Sequence, residues 1–302
     1  MLMVIYGHII YAISKYADAC TNATYEWFQE VANNWIAPYY MAAFFIVTGY
    51  CLSHKPIKDH IRSDIKNLLV PGLVMPLILL PFSFNSFDLS NFIRKLIFQG
   101  GGYWFIVALF FAKSIFILFR SVTPWVRRIV FLFFFFIGTY LVGNGFFELW
   151  YIWHALVMVI FIEVGFSMKV HNVLNQNITW KSIWSLISYI FLIIFVLCRG
   201  WSAPAFCAIQ TFHWKLSPLY FLFALFGSIA LLGAAKWKNG CFWLEFVGRN
   251  SLIYYLTHFT FFGLFIPFIK DFIIVRQSSV LFSIITVVGL FLGSITWSTI
   301  WV

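Results

Sequence analysis

Long apolar runs alternate with short polar segments along the whole chain. Ten runs approach the ~20 apolar residues that a membrane-spanning helix needs. They cover residues 1–14, 35–53, 68–84, 103–119, 128–143, 149–168, 180–198, 216–235, 241–263 and 279–302. Runs such as Arg128–Val142 are almost continuously apolar, without the alternation of a barrel strand. Because lipid offers the backbone no hydrogen bonds, the pattern predicts an all-α, polytopic membrane bundle of about ten transmembrane helices.

The composition supports a membrane-embedded chain. Of its 302 residues, 62% are hydrophobic and only 10% are charged, whereas soluble domains carry about 25% charged residues. We therefore expect a single membrane-embedded domain over residues 1–302. The first apolar run is short and the last ends without a polar tail, so we also expect both ends of the chain to be clipped.

The net charge of +10 comes from basic residues between the apolar runs. In that position they set membrane orientation and do not indicate nucleic-acid binding. The even-numbered loops hold more Lys and Arg than the odd ones, which places these loops and both termini in the cytoplasm. We predict a multi-pass protein of the inner (plasma) membrane. The five cysteines lack ligand spacing, so neither a metal site nor a disulfide framework is predicted.

Three histidines fall within predicted spans, where a titratable ring needs a cavity, a partner or a role. With the orientation above, His8, His154 and His258 lie in the outer half of the bilayer at similar depth. The position of His8 in the first span favours a functional role, and that of His258 leaves structure and function open. His154 is interpreted as an interfacial histidine that is hydrogen-bonded at the headgroup level.

Basic residues in the second loop recur at helical spacing. If the segment is helical, Lys58, Arg62 and Lys66 share one face. Such a face could bind the phosphates of an acyl-CoA or a nucleotide. Basic cytoplasmic loops also orient membrane proteins and contact anionic lipids, and spacing alone favours this simpler role.

Other charges fall inside the predicted spans, where an unpaired charge is costly. Lys113 lies near the middle of the fourth span and Glu163 in the inner half of the sixth. We expect these two to pair with each other or to line a cavity, or Lys113 to snorkel. Arg249, in the inner part of the ninth span, could add positive charge to a cytoplasm-facing pocket.

Five stretches together form a recognisable series of motifs. They are Val4–His8 (VIYGH), Phe44–Tyr50 (FFIVTGY), Lys66–Pro71 (KNLLVP), Tyr103–Phe110 (YWFIVALF) and Gly248–His258 (GRNSLIYYLTH). Each motif is loose, but their order and spacing are fairly specific and extend over nearly the whole chain. In these features the chain resembles acyltransferase family 3, most closely its fucose 4-O-acetylase-like branch.

The resemblance implies a membrane O-acyltransferase. Such an enzyme moves an acyl group, usually acetyl, from cytoplasmic acyl-CoA to a hydroxyl of a cell-surface carbohydrate or its lipid-linked precursor. Acyl-CoA is then a donor substrate, no cofactor is permanently bound, and the other partners are the carbohydrate acceptor and membrane lipids. The expected site residues are His8 for catalysis, and Arg62, Lys66, Lys58 and Arg249 for the donor. Trp104 is assigned to the acceptor substrate, and His258 is expected either to contact the acceptor or to orient the site.

The chain departs from the family pattern at a few positions. The basic residue that the family carries upstream of its first-helix histidine would lie before Met1. Asn67 stands where many members have a second basic residue, and Gly72 replaces the usual aromatic residue.

The alternatives to an acyltransferase are a transporter or flippase of lipid-linked sugars and a degenerate, non-catalytic family member. A transporter predicts repeats or matching broken helices, which the sequence does not show.

Overall fold

The computed structural model describes residues 1–17, 23–53, 55–78, 89–99, 103–173, 178–205, 213–237, 241–276 and 279–302. Within these residues the chain forms helices and no strands, which confirms the prediction of an all-α membrane bundle. The helices are α1 (Leu2–Ala17), α2 (Ala23–Glu30), α3 (Ala37–Cys51), α4 (Ile57–Asp64), α5 (Val70–Ile78), α6 (Leu89–Gln99), α7 (Trp104–Leu118), α8 (Pro124–Gly143), α9 (Ile152–Val170), α10 (Ile178–Cys198), α11 (Ser217–Trp237), α12 (Phe242–Arg249), α13 (Ser251–Arg276) and α14 (Val280–Ile300). Two π-helical segments, Val31–Ile36 and Ile65–Leu69, lead into α3 and α5.

Among the described residues, five helical segments are long and apolar enough to cross a membrane. They correspond to α8, α9, α10, α14, and α11 together with the short 3₁₀ turn before it. Shorter apolar helices lie in α1, in α7 and in the first part of α13. The total of ten spans stays a prediction, and residues 79–84 of the third predicted span lie outside the described residues.

The prediction of one helix over residues 241–263 is wrong. Helix α12 ends at Arg249, and α13 begins at Ser251 and continues to Arg276. Asn250 separates them, and its side-chain amide donates a 3.0 Å hydrogen bond to the Phe246 carbonyl. Asparagine competes in this way for backbone groups and so interrupts helices. Helices α2 and α6 were not predicted.

The described residues form two compact units. Unit 1 comprises Met1–Ala37, Leu77–Phe87 and Asn239–Val302, and unit 2 comprises Pro38–Pro76 and Asp88–Lys238. In unit 1, α1 packs on α13 and α14, which also pack on each other. Ile5, Ile9 and Ile13 recur every four residues along α1 and are fully or almost fully buried in the core of this unit.

A ladder of side-chain hydrogen bonds joins α13 to α14 in unit 1. Its three steps join Tyr254 to Thr299 at 2.7 Å, Thr257 to Ser298 at 3.0 Å and Thr260 to the indole nitrogen of Trp297 at 3.0 Å. The α13 residues are spaced three apart, so the ladder follows one face of the helix. It therefore fixes the rotation of α13 about its axis.

In unit 2, α3 and α9 approach each other at two glycines. A Cβ atom added to Gly49 would collide with the Ile162 carbonyl oxygen, and one added to Gly165 would collide with the Ile46 carbonyl oxygen. Small residues allow membrane helices to pack with their backbones close together. The glycine of the FFIVTGY motif thus has a packing role.

Replacing Gly165 with alanine should destabilise unit 2 by about 1–3 kcal/mol, because the new methyl group overlaps rigid backbone. The matched control is Gly289→Ala in α14, where an added Cβ would meet no atom within 4 Å. There the better helix propensity of alanine should leave stability equal or higher. Thermal unfolding of the purified proteins in detergent measures both effects. Equal melting temperatures for the two variants would contradict the proposed close contact.

The charges inside unit 2 are paired, but not as the sequence predicted. Arg127 donates to Glu163 through Nε at 2.6 Å and Nη2 at 3.1 Å, and both side chains are buried. Lys113 Nζ lies 2.6 Å from Asp64 Oδ1. The expected pair of Lys113 with Glu163 is therefore wrong. Lys113 pairs with Asp64 of α4, and Glu163 pairs with Arg127 of α8.

Two cationic side chains, Lys169 and Arg120, and the imidazole of His60 lie at the C-terminal end of α3, where helix carbonyls lack partners within the helix. Lys169 donates to the Leu52 carbonyl. The Ser53 carbonyl accepts from Arg120 at 3.2 Å and lies 3.0 Å from His60 Nε2. Lys169, Arg120 and His60 come from three different parts of unit 2, so their bonds to this helix end connect those parts.

Candidate functional site

Two of the predicted site residues, His8 of α1 and His258 of α13, are in direct contact. His8 Nδ1 lies 2.9 Å from His258 Nε2, and the ring centroids are 4.8 Å apart. The other nitrogen of His258, Nδ1, lies 3.0 Å from the Tyr254 carbonyl oxygen. His258 is fully buried, whereas His8 is partly exposed. The two histidines therefore form a polar pair in the apolar core of unit 1, and only the His8 ring is partly exposed.

The helices of unit 1 explain why these two rings meet. The buried isoleucine stripe of α1 places His8 beside the α1–α13 interface, next to Ile9. On α13, the ladder to α14 directs Tyr254 and Thr257 to one side, which leaves His258 on the side of α1. Phe259 covers both imidazoles, with centroid distances of 4.5 Å to His8 and 4.2 Å to His258. The site combines two imidazoles with an aromatic cover.

The basic residues of the second loop lie on a short helix, as their spacing predicted. Lys58 and Arg62 occupy successive turns of α4, while Lys66 lies in the π-helical segment that follows. All three are exposed. In the part of the chain that the structure describes, no ion pair involves any of them. The opposite face of α4 carries the buried His60 and Asp64, so α4 separates exposed basic residues from structural polar ones.

Trp104 belongs to unit 2 and lies in an aromatic and acidic cluster. Its ring centroid is 5.4 Å from that of His154, and Tyr151 contacts the same imidazole at 5.4 Å. Glu148 accepts two hydrogen bonds from His154, one from Nδ1 at 2.6 Å and one from the backbone N–H at 2.8 Å. His154 is buried within unit 2, and its depth in the membrane stays a prediction. Its partner is a carboxylate.

The loop before α9 places this carboxylate. Trp150 and Tyr151 both have left-handed backbone conformations, with φ of 52° and 53°, which non-glycine residues adopt only at an energetic cost. The Trp150 backbone and indole N–H groups donate to the carbonyls of Phe98 at 2.9 Å and Ile97 at 2.7 Å. These bonds hold the loop in its unusual conformation.

Arg249 lies at the end of α12 with an exposed side chain, 3.6 Å from Glu245 in the preceding turn. Within the described residues of unit 1, no hydrogen bond or ion pair joins Arg249 to His8 or His258. Among the described residues, no three His, Cys, Asp or Glu side chains lie together as a metal ion would need.

Sequence reasoning missed Glu148 and Asp64 as partners of buried groups. Glu148 is an isolated acidic residue within the aromatic stretch from Phe146 to Trp153, and that isolation was the available signal. Asp64 lies four residues after His60, so both fall on the same face of α4, opposite the basic residues.

Comparison with known families gives one match over nearly the entire chain. The model of the family described as "Acyltransferase domain" matches residues 1–300. No curated protein and no solved structure matches the chain. With its apolar helices, this match defines a multi-pass membrane protein with an acyltransferase domain. The chain belongs to acyltransferase family 3.

Proposed function

We propose that this protein transfers an acyl group, most simply acetyl, from acyl-CoA to a hydroxyl of a cell-surface carbohydrate or its lipid-linked precursor. The observation that carries the proposal is the partly exposed His8, held by the buried His258 at 2.9 Å. A carbohydrate hydroxyl is a weak nucleophile, and a positioned imidazole is the most common general base for such a group. The fucose 4-O-acetylase-like branch stays a prediction.

In the proposed reaction, His8 carries one proton from the acceptor to the leaving group. The imidazole takes the proton of the acceptor hydroxyl while the oxygen forms a bond to the thioester carbonyl carbon. The carbon–sulfur bond then breaks, and the CoA thiolate takes from the His8 imidazolium the proton that came from the acceptor hydroxyl. A relay through an acyl-histidine is the second route for the same overall transfer.

In this proposal the protein spans the inner membrane with both termini in the cytoplasm, so that α4 faces the pool of acyl-CoA. The exposed Arg62, Lys66 and Lys58 are assigned to the donor phosphates, since guanidinium and ammonium groups form charge-assisted hydrogen bonds with phosphate. Arg249, exposed beside Glu245, is a further candidate for the donor. Trp104 is assigned to the acceptor, because its ring offers an aromatic face.

Arg62→Ala should raise the KM for acyl-CoA by roughly ten- to a hundredfold, with kcat little changed, since about 1.5–3 kcal/mol is typical for a hydrogen bond to a charged group. Lys58→Ala is the matched control from the preceding turn, and its effect should be smaller because Lys58 lies further from the third-span motif Lys66–Pro71. Steady-state rates at varied acyl-CoA concentration separate the two parameters. Equal effects of both variants would indicate general attraction to the negatively charged donor.

The first test of the proposed function is transfer of a labelled acetyl group. Membranes with the protein, and matched membranes without it, receive acetyl-CoA labelled in the acetyl group together with a panel of carbohydrate acceptors. We expect protein-dependent label that alkaline hydrolysis releases from the acceptor, as an ester requires. Lack of label despite normal membrane insertion, with transport of a lipid-linked sugar instead, would replace the proposal with the flippase function.

A further inference from the structure

The hydrogen bonds of His258 define which of its nitrogens carries the proton. Nδ1 faces the Tyr254 carbonyl oxygen at 3.0 Å. A carbonyl oxygen only accepts hydrogen bonds, so Nδ1 of His258 must be the donor. In a neutral imidazole the other nitrogen is then an acceptor, which makes Nε2 of His258 a lone pair directed at His8.

That lone pair in turn defines the proton on His8. His8 Nδ1 lies 2.9 Å from His258 Nε2, and a hydrogen bond between an acceptor and this atom requires a proton on His8 Nδ1. In a neutral imidazole, this proton leaves His8 Nε2 as the unprotonated nitrogen.

We infer that His258 is a positioning residue that holds His8 as its Nδ1–H tautomer and so leaves His8 Nε2 as the basic nitrogen. This inference rests on the proposed function for its catalytic meaning, but the tautomer itself can be observed without activity. His258 is fully buried, so it acts through His8 and does not contact substrate. Its role parallels that of a buried carboxylate behind a catalytic histidine, with a backbone carbonyl as the final acceptor.

The opposite assignment would need a charged His258. With protons on both of its nitrogens, His258 would donate to His8 Nδ1, and His8 would carry its own proton on Nε2, where it could not act as a base. Such a cation would lie against the rings of Phe259 and Phe262. No carboxylate in the described part of unit 1 is bonded to either imidazole, and burial of an unpaired charge is costly.

The arrangement also accounts for the proton during transfer. When the acceptor proton reaches His8 Nε2, the positive charge spreads over the ring and the Nδ1–H bond to His258 becomes charge-assisted and stronger. The proton then leaves from Nε2 to the departing thiolate, and Nδ1 keeps its proton throughout. His258 thus stabilises the charged intermediate state of His8 more than its neutral state, which is the condition for faster chemistry.

Two amide substitutions at the same position test this inference. Glutamine places its carbonyl oxygen near the position of histidine Nε2, where it can accept from His8 Nδ1–H. Asparagine offers the same amide nearer the backbone, at the position of Nδ1, and cannot reach His8. We expect His258→Gln to keep kcat within about tenfold of wild type, and His258→Asn to lower it by roughly 10²–10⁴-fold, as loss of the correct tautomer does elsewhere.

The KM for acceptor and donor should stay unchanged in both variants, because His258 does not contact substrate. Equal kcat values for the Gln and Asn variants would overturn the inference, as would a change in KM with kcat retained. Thermal unfolding of both variants identifies losses that come only from misfolding. If the Asn variant unfolds early, His258→Phe replaces it, because phenylalanine fills a similar volume without an acceptor and should lower kcat in the same way.

The tautomer can be read directly from ¹⁵N spectra of the purified protein with labelled histidine. His8→Ala identifies the His8 signals, which should show a protonated Nδ1 and an unprotonated Nε2 in wild type and in His258→Gln. A proton on His8 Nε2 in wild type would overturn the inference. Absence of acyl transfer by wild type with the expected spectrum would instead overturn the proposed function and leave the tautomer assignment supported.

Discussion

Replacing His8 with alanine should lower acyl transfer by roughly 10²–10⁴-fold, the usual contribution of a general base. The variant keeps the buried stripe of α1, in which Ile5, Ile9 and Ile13 pack into the core of unit 1. The loss should therefore appear in kcat, while the protein still inserts into membranes. Initial rates of labelled acetyl transfer, normalised to the amount of inserted protein, measure the effect.

The control for this prediction is His171→Ala. His171 is also a histidine of the chain, but it is exposed at the end of α9 in unit 2. Its replacement should leave the rate within about twofold of wild type, since exposed substitutions away from special features change little. Retention of activity by His8→Ala would remove the assigned base and with it the proposed mechanism.

Replacing Glu163 with alanine should destabilise unit 2 by about 3–5 kcal/mol, which is typical when one partner of a buried ion pair is removed. The Arg127 side chain is only 4% exposed and would lose both hydrogen bonds to the carboxylate. Arg128 Nε also lies 3.2 Å from Glu163, so a second cation loses a partner. Thermal unfolding in detergent should show the lower stability directly.

A double replacement separates the cost of the unpaired charge from the loss of packing. Arg127→Met together with Glu163→Leu removes both charges and keeps apolar volume, and such exchanges of a buried pair are often close to neutral. We therefore expect the double variant to be more stable than Glu163→Ala alone. A double variant as unstable as the single one would show that the ion pair itself, and not the uncompensated arginine, determines stability.

The sequence alone predicted the helical class because continuous apolar runs permit few other structures in lipid. It also selected His8 and His258 separately, as rings that needed a partner. It could not predict that each is the partner of the other, because they are 250 positions apart in the chain. Their contact depends on the rotation of α13, which the hydrogen bonds to α14 fix. The pattern of hydrophobic residues along α13 does not predict this rotation.

The same reasoning explains the errors. Lys113 and Glu163 have opposite charges, and sequence reasoning paired them only because each seemed isolated within its span. The actual partner of Lys113, Asp64, lies on a short helix between predicted spans. Local competition by the Asn250 side chain divided the ninth predicted span, an effect that an average hydropathy conceals.

The cations that close the end of α3 affect how membrane topology can be studied in this protein. Lys169 and Arg120 were among the positive residues that indicated orientation, yet both donate to carbonyls at that helix end. Charge-removal experiments designed to invert the insertion of the chain would also release these carbonyls. Such a variant would change both the charge bias of the loops and the hydrogen bonding at this helix end. Lys58 and Arg62 are exposed on α4, so their removal changes the charge bias and leaves the end of α3 intact. A reporter scan of orientation should therefore begin with the exposed cations.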